Sequence, residues 1–164
     1  MQNLKFFIRN FEELVSGFFI IITVSVVILN VFLRYVFNMG IFWVEEVATI
    51  SFIWSVFLGA SATYKRRMNI GIDFLTRRGN QKTQTIIKLV VDMMLLIITG
   101  YILYLSIIFT WTASIKPTAV LGISSAYVNA ALVVGFGLMV IQTIVFLVQD
   151  VKDIKILNSR REVL

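Results

Sequence analysis

The sequence predicts an all-α integral membrane protein with four transmembrane helices, short interfacial amphipathic helices, and both the N-terminus and the C-terminus cytoplasmic. Of the 164 residues, 59% are hydrophobic and only 15% are charged, whereas soluble domains are less apolar and more charged. Four stretches without charge each approach or exceed the roughly 17 residues that span a bilayer as a helix. The connections between them alternate in basic charge, which indicates a fixed orientation. We expect one membrane domain over residues 1–164.

The first part of the chain predicts an interfacial helix followed by a span. Residues 3–13 place apolar side chains at helical spacing opposite charged ones, which is typical of a helix at the membrane surface; a frayed terminus is the alternative. The first span covers about residues 14–34. Because this run exceeds the 7 to 15 residues or so of a signal-peptide core, we expect it to be retained. Asn38 and Gly40 then predict a tight turn.

The second span, about residues 43–64, carries a stripe of small side chains. With each residue about 100° from the last, five small residues share one narrow face. They are Ala48, Ser51, Ser55, Gly59 and Ala62. Such a stripe allows helix backbones to approach closely in lipid, where van der Waals contact drives association. We therefore expect this face to pack against another helix of the same chain.

The same helical construction separates two neighbouring acids at the start of this span. Glu45 lies at the edge of the small stripe, which predicts contact with another helix of the chain. Glu46 projects with the bulky side chain of Phe57 on nearly the opposite face, which predicts contact with headgroups or a different protein. Two readings remain open: solvation at the positive end of the helix dipole, or pairing of one acid with Arg34, Lys116 or a base on a partner.

The second half of the chain predicts two further spans. Residues 65–88 form a long basic connection, whose apolar residues indicate an interfacial segment at about 69–78. The third span covers about residues 89–112 and the fourth about residues 126–148. The fourth span has a second small patch at Ala131 and Gly135, and Pro117 begins the loop before it. The polar tail from residue 149 predicts a surface helix that frays.

The distribution of basic residues predicts the orientation. Thirteen of the fifteen lysines and arginines fall in the N-terminal segment, the central connection and the tail, and only Arg34 and Lys116 fall on the other side. The positive-inside rule then places both termini in the cytoplasm. The net charge of +6 is accounted for by topology and by attraction to anionic lipid, so a nucleic-acid role is not needed to explain it.

The composition also restricts the chemistry. The chain has no cysteine and no histidine, which excludes disulfides, thiolate or imidazole metal sites and histidine-based catalysis within it. We expect no enzyme activity, cofactor or metal. The sequence shows no internal repeat, and its single proline lies in a loop, unlike many transporters that work alone. Asn30 and Gln142 are the deepest polar side chains, and a helix–helix hydrogen bond is the simpler reading for both.

Three local patterns follow one another along the chain. After the first span an arginine precedes aromatic residues, at Arg34, Tyr35 and Phe37. Around the second span, a tryptophan and paired acids lead through a Leu-Gly-Ala step to a basic residue and an Ile-Asp pair, at Trp43, Glu45, Glu46, Leu58, Gly59, Ala60, Arg66, Ile72 and Asp73. Before the fourth span a Pro-x-x-x-Leu-Gly-Ile run lies at Pro117, Leu121, Gly122 and Ile123.

In these patterns, its length and its four spans, the chain resembles the small membrane subunit of tripartite ATP-independent periplasmic (TRAP) transporters, called the DctQ family. Members of that family often have a histidine where this chain has Asn69, and a proline early in the fourth span that is missing here. The resemblance implies a scaffold in the bacterial inner membrane that braces a large, sodium-coupled transport subunit. A soluble periplasmic protein would deliver an organic anion of the carboxylate or sialic-acid type.

The resemblance also implies a set of candidate subunit-interface residues and leaves two competing classes of function. The candidates are Arg34, Trp43, Glu45, Glu46, Arg66 and Asp73. One competing class is a self-sufficient homodimeric four-helix carrier that couples protons through Glu45 or Glu46. The other is a membrane enzyme or electron carrier, which the absence of histidine and cysteine disfavours. From the helix angles, Glu46→Ala is expected to weaken subunit association more than Glu45→Ala.

Overall fold

A computed structural model describes residues 10–66 and 81–162 of the chain. These residues form four helices: α1 (Phe11–Phe37), α2 (Phe42–Lys65), α3 (Gln81–Ala113) and α4 (Ala126–Glu162). Each contains a stretch long and apolar enough to cross a membrane, which confirms the predicted all-α class with four spans. The predicted interfacial segment at 69–78 lies outside the described residues. Most of the segment predicted at 3–13 does too, and its last residues belong to α1.

The helices extend beyond the apolar stretches that indicated them. α3 begins at Gln81 and α4 continues to Glu162, so the polar tail continues the fourth helix instead of forming a separate one. At a rise of 1.5 Å per residue, the 37 residues of α4 extend over about 55 Å, against a hydrocarbon core of about 30 Å. The C-terminal turns of α4 therefore project beyond the membrane.

Two asparagines shape the turn between α1 and α2. Asn38 ends α1 in the left-handed conformation, with φ of 53°, as is common at helix C-termini, and the Met39 N–H donates to the carbonyl of Leu33 at 3.3 Å. The side-chain oxygen of Asn30 accepts a hydrogen bond from the Ile41 N–H at 3.2 Å. Asn30 therefore fixes the connection to α2, whereas the sequence predicted that Asn30 would form a hydrogen bond between two helices.

The four helices pack in a row, in the order α1, α2, α4, α3. Among the described residues, close backbone packing joins α1 to α2, α2 to α4, and α4 to α3, and no other pair of helices. α1 therefore has no buried residue. We call the end of the row with residues 38–41 and 114–125 the loop end, and the end with the start of α1 and the end of α2 the terminal end.

Small side chains allow α1 and α2 to approach closely. The Ser16 hydroxyl donates to the carbonyl of Ser55 at 2.9 Å, and the Ser55 hydroxyl donates to the carbonyl of Ser16 at 3.1 Å. A Cβ atom on Gly59 would lie 2.9 Å from the Ser16 oxygen. Of the predicted stripe, Ala48, Ser51, Ser55 and Ala62 are buried, and Val44, Leu58 and Ser61 are buried beside them.

The opposite face of α2 is covered by α4. A Cβ atom on Gly135 would lie 2.9 Å from the Cβ of Phe57 and 3.1 Å from its carbonyl oxygen, so the absence of a side chain there allows the two helices to meet. The rings of Phe57 and Phe136 pack with centroids 5.8 Å apart, and Ala131 is fully buried. Gly135 of the second small patch predicted from the sequence thus lies at the contact between α2 and α4.

The loop between α3 and α4 forms a short hairpin. Pro117 and Ser124 make an antiparallel bridge. The Thr118 N–H donates to the carbonyl of Ile123 at 2.7 Å, and the Ser125 N–H donates to the carbonyl of Lys116 at 2.9 Å. Gly122 has φ of +66°, a conformation that glycine adopts without steric cost. The loop is therefore a defined element of the loop end.

Candidate subunit interface

Glu46 binds the hairpin of its own chain at the loop end. Its Oε2 accepts a hydrogen bond from the Val120 N–H at 2.8 Å and another from the Leu121 N–H at 3.2 Å. Hydrogen bonds to an ionised carboxylate are stronger than those between neutral groups. One side chain at the start of α2 therefore holds the tip of the α3–α4 connection.

This contact corrects the sequence prediction for the two acids. The sequence predicted that Glu46 would contact headgroups or another protein, because Glu46 shares a helix face with bulky residues such as Phe57. That face is covered instead, because Gly135 of α4 makes room for Phe57 and the loop before α4 then lies above Glu46. Glu45, predicted to meet another helix, is exposed, so the prediction was wrong for both side chains.

The remaining loop-end candidates are accessible. Trp43 is 47% exposed, and Arg34 and Lys116 are exposed. Among residues 10–66 and 81–162, neither of these bases forms a salt bridge with Glu45 or Glu46, so the pairing considered from the sequence is not present within the described part of the chain. Arg34, Trp43 and Glu45 are thus free to contact lipid or another protein.

A polar cluster joins three helices at the terminal end. The carboxylate of Glu12 on α1 accepts a hydrogen bond from the Ser61 hydroxyl of α2 at 3.0 Å and from the Gln142 Nε2 of α4 at 3.0 Å. Gln142 Nε2 also lies 3.3 Å from the Ser61 hydroxyl, and Lys65 lies 3.6 Å from Glu12. Gln142 therefore makes the helix–helix hydrogen bonds expected of it.

Sequence reasoning did not find Glu12, because this acid was assigned to an interfacial segment outside the first span. The sequence nevertheless held a usable signal. Glu12 lies at the start of the first span and Gln142 near the end of the fourth, and these two positions fall at the same membrane level when successive helices alternate in direction. Ser61 gave a weaker signal. It is fully buried, but small residues occur all along α2.

Arg66, another candidate interface residue, is paired within the chain. Its guanidinium makes two hydrogen bonds to the carboxylate of Glu13, one of them from Nε to Oε1 at 3.1 Å. Both side chains are partly exposed, so this pair adds little stability, but it ties the end of α2 to the start of α1. Asp73, the last candidate, lies outside the described residues.

Charged side chains in the four spans lie near the membrane boundaries. Each one is within two helical turns of an end of its span. In the two described ranges, 10–66 and 81–162, no group of three or more acidic side chains could hold a metal ion. The contacts described for these charged groups join helices and loops of the chain to one another.

Comparison with known proteins identifies a family. Residues 23–153 match the family described as tripartite ATP-independent periplasmic transporters, DctQ component. The C4-dicarboxylate TRAP transporter small permease protein DctQ of Vibrio cholerae is 38% identical over 69 residues, which are 42% of this chain and 30% of that protein. The sialic acid TRAP transporter small permease protein SiaQ of Vibrio cholerae is 25% identical over 140 residues, 85% of this chain and 81% of that protein.

A longer protein also matches. The sialic acid TRAP transporter permease protein SiaT of Haemophilus influenzae is 28% identical over 126 residues, which are 77% of this chain and 20% of SiaT. The chain thus spans less than a third of the lengths of DctQ and SiaT.

Proposed function

Since this chain belongs to the DctQ family of tripartite ATP-independent periplasmic transporter components, we propose that it is a small scaffold subunit that braces a large membrane subunit in a sodium-coupled transporter. It is a multi-pass protein of the bacterial inner membrane. In this proposal the large subunit is a stable partner, and a soluble periplasmic binding protein associates transiently and delivers the solute.

The observation that carries the scaffold role is the packing of the four helices in a row. Among the described residues, the backbone of each helix packs closely only on its neighbours in the row, so broad apolar surfaces remain on both sides of it. α1 exposes large side chains such as Phe18, Ile21 and Ile28 along its length, and α3 exposes Ile97 and Tyr101. A row offers a large partner much more contact area than a compact four-helix arrangement of the same length would.

The match to SiaT supports a stable association. Only 20% of SiaT corresponds to this chain, so in that permease the counterpart of this chain is covalently joined to a much longer sequence. A protein that occurs as part of a longer permease in one transporter is expected to bind the equivalent of the remaining sequence where the two are separate chains.

The proposed solute class is an organic anion. DctQ is named for C4-dicarboxylates and SiaQ for sialic acid, and both solutes are carboxylates. Sodium coupling and solute delivery by a binding protein are proposed from the family resemblance. The positive-inside distribution supports cytoplasmic termini, which a cysteine placed at the loop end and labelled from the periplasm would test.

Reconstitution tests the proposal directly. We expect this chain to co-purify with the large subunit, and sodium-driven uptake in proteoliposomes to require both subunits and the binding protein. Uptake by this chain alone would refute the scaffold role and would support the alternative hypothesis of a proton-coupled carrier. The binding of Glu46 to its own loop gives that alternative no support.

A further inference from the structure

Two cavities lie on the surface between α3 and α4 and join into one groove. The first is about 360 Å³ in volume and lies at the loop end, beside Lys116, Ser125 and Asn129. The second is about 530 Å³ and follows the same two helices, beside Ile102, Leu105 and Leu132. Phe109 and Thr112 line both cavities, so the groove is continuous.

The length of the groove matches one leaflet of a bilayer. Ile102, at its inner end, precedes Ala113, the last residue of α3, by 11 residues. At 1.5 Å per residue this distance is about 16 Å. Half of the hydrocarbon core is about 15 Å. The groove therefore extends from the membrane boundary at the loop end to the middle of the bilayer.

The two ends of the groove differ in chemistry. Lys116 supplies a cation at the mouth, and within the described residues it forms no salt bridge. The Ser125 hydroxyl and the Asn129 amide line the same mouth and can donate hydrogen bonds to an anion. The inner part, by contrast, is lined mainly by aliphatic side chains. An amphiphile with an anionic head and a hydrocarbon chain fits both ends.

We propose that this groove binds one anionic phospholipid from the leaflet at the loop end. Its phosphate contacts Lys116, Ser125 and Asn129, and one acyl chain lies between α3 and α4 as far as Ile102. The bound lipid fills the contact between these helices close to the Glu46 loop. This proposal is argued from the groove and not from the proposed transporter role, although one of its tests uses the complex with the large subunit.

The test measures phosphatidylglycerol binding to the purified, delipidated full-length chain by native mass spectrometry. Lys116→Gln removes the cation at the mouth, and we expect about fivefold weaker binding, as for one lysine near an anionic lipid surface. Arg34→Gln removes an equal charge at the same membrane level on α1, outside the groove, and should leave binding unchanged. Thr112→Trp, at an exposed position where the two cavities join, should abolish the tight site without changing the thermal unfolding midpoint.

Three results would each overturn the proposal. In the first, Lys116→Gln and Arg34→Gln weaken binding equally. In the second, zwitterionic phosphatidylcholine binds as tightly as phosphatidylglycerol. In the third, a Leu105→Cys variant in the complex cross-links efficiently to the large subunit and the purified complex retains no lipid.

Discussion

A single carboxylate, that of Glu46, connects the start of one helix to the loop before another. Carboxylates near a membrane boundary are tolerated when polar groups satisfy them. Here the N–H groups of Val120 and Leu121 both point at one oxygen of Glu46. The same bonds satisfy two backbone donors at the tip of the hairpin.

Replacing Glu46 should therefore loosen the hairpin. We expect Glu46→Ala to speed hydrogen exchange at the Val120 and Leu121 amides, because both lose their acceptor. Glu45→Ala is the matched control, since the Glu45 side chain is exposed and forms no salt bridge within the described residues. Exchange rates that rise equally in the two variants, measured by mass spectrometry in detergent, would contradict the role assigned to Glu46.

The polar cluster at the terminal end gives a second prediction for a single residue. Gln142→Leu removes the donor that bridges Glu12 and Ser61 from a largely buried site, which should destabilise the chain by about 1–3 kcal/mol. Gln149→Leu makes the same change at an exposed position of the same helix and should be nearly neutral. The comparison needs only the thermal or denaturant midpoints of the purified variants, and equal midpoints would remove the cluster as a source of stability.

Between helices, α2 is the central element because both of its faces are used. Its small stripe contacts α1 through the paired serines Ser16 and Ser55. Its bulky face contacts α4 through Phe57, and the contact depends on the missing side chain of Gly135. In lipid, such close approach provides the van der Waals contact that holds helices together.

This dependence predicts that Gly135→Ala separates α2 from α4. The added methyl group would meet the Cβ and the backbone carbonyl of Phe57 at 2.9 and 3.1 Å, and the backbone cannot move aside without shifting the helix. Overpacking of this kind costs about 1–3 kcal/mol. Gly137→Ala is the control on the same helix, since the nearest atom to its Cβ would be 4.0 Å away. A Gly135→Ala variant as stable as Gly137→Ala would show that this contact tolerates a side chain.

The elements themselves could be predicted from the sequence, but their neighbours could not. Apolar length and the small stripe of α2 are local properties, because they depend on one helix and the lipid around it. The position of Glu46 depends on which helix covers the bulky face of α2. The fit between Gly135 and Phe57 determines that α4 covers this face. These two residues are far apart in sequence, so the periodicity of a single helix cannot predict their contact.

Across the described part of the molecule, the row leaves α1 and α3 each with a single neighbour for close backbone packing. α1 is attached to α2 by the serine pair and, at the terminal end, by the ion pairs of Glu12 and Glu13. Although α1 packs closely along α2, none of its 27 residues is buried. A partner that covers one side of the row would add the burial that the chain does not provide by itself.

If the proposed complex with a large subunit forms, the isolated chain should be less stable than the chain in that complex. A partner that binds only the folded state stabilises that state by about 2.7 kcal/mol when it is present at 100 times its dissociation constant. For a chain of this size, that free energy corresponds to a rise of about 5–10 °C in the unfolding midpoint. We expect such a rise when the chain is co-purified with the large subunit at matched detergent and lipid. Unfolding is followed by the fluorescence of Trp43, Trp54 and Trp111 of this chain, in a complex whose large subunit contains no tryptophan. A soluble periplasmic binding protein added without the large subunit is the control and should give no comparable rise. An unchanged midpoint in the complex would mean that the row is self-sufficient, and the bracing role would then lose its structural basis.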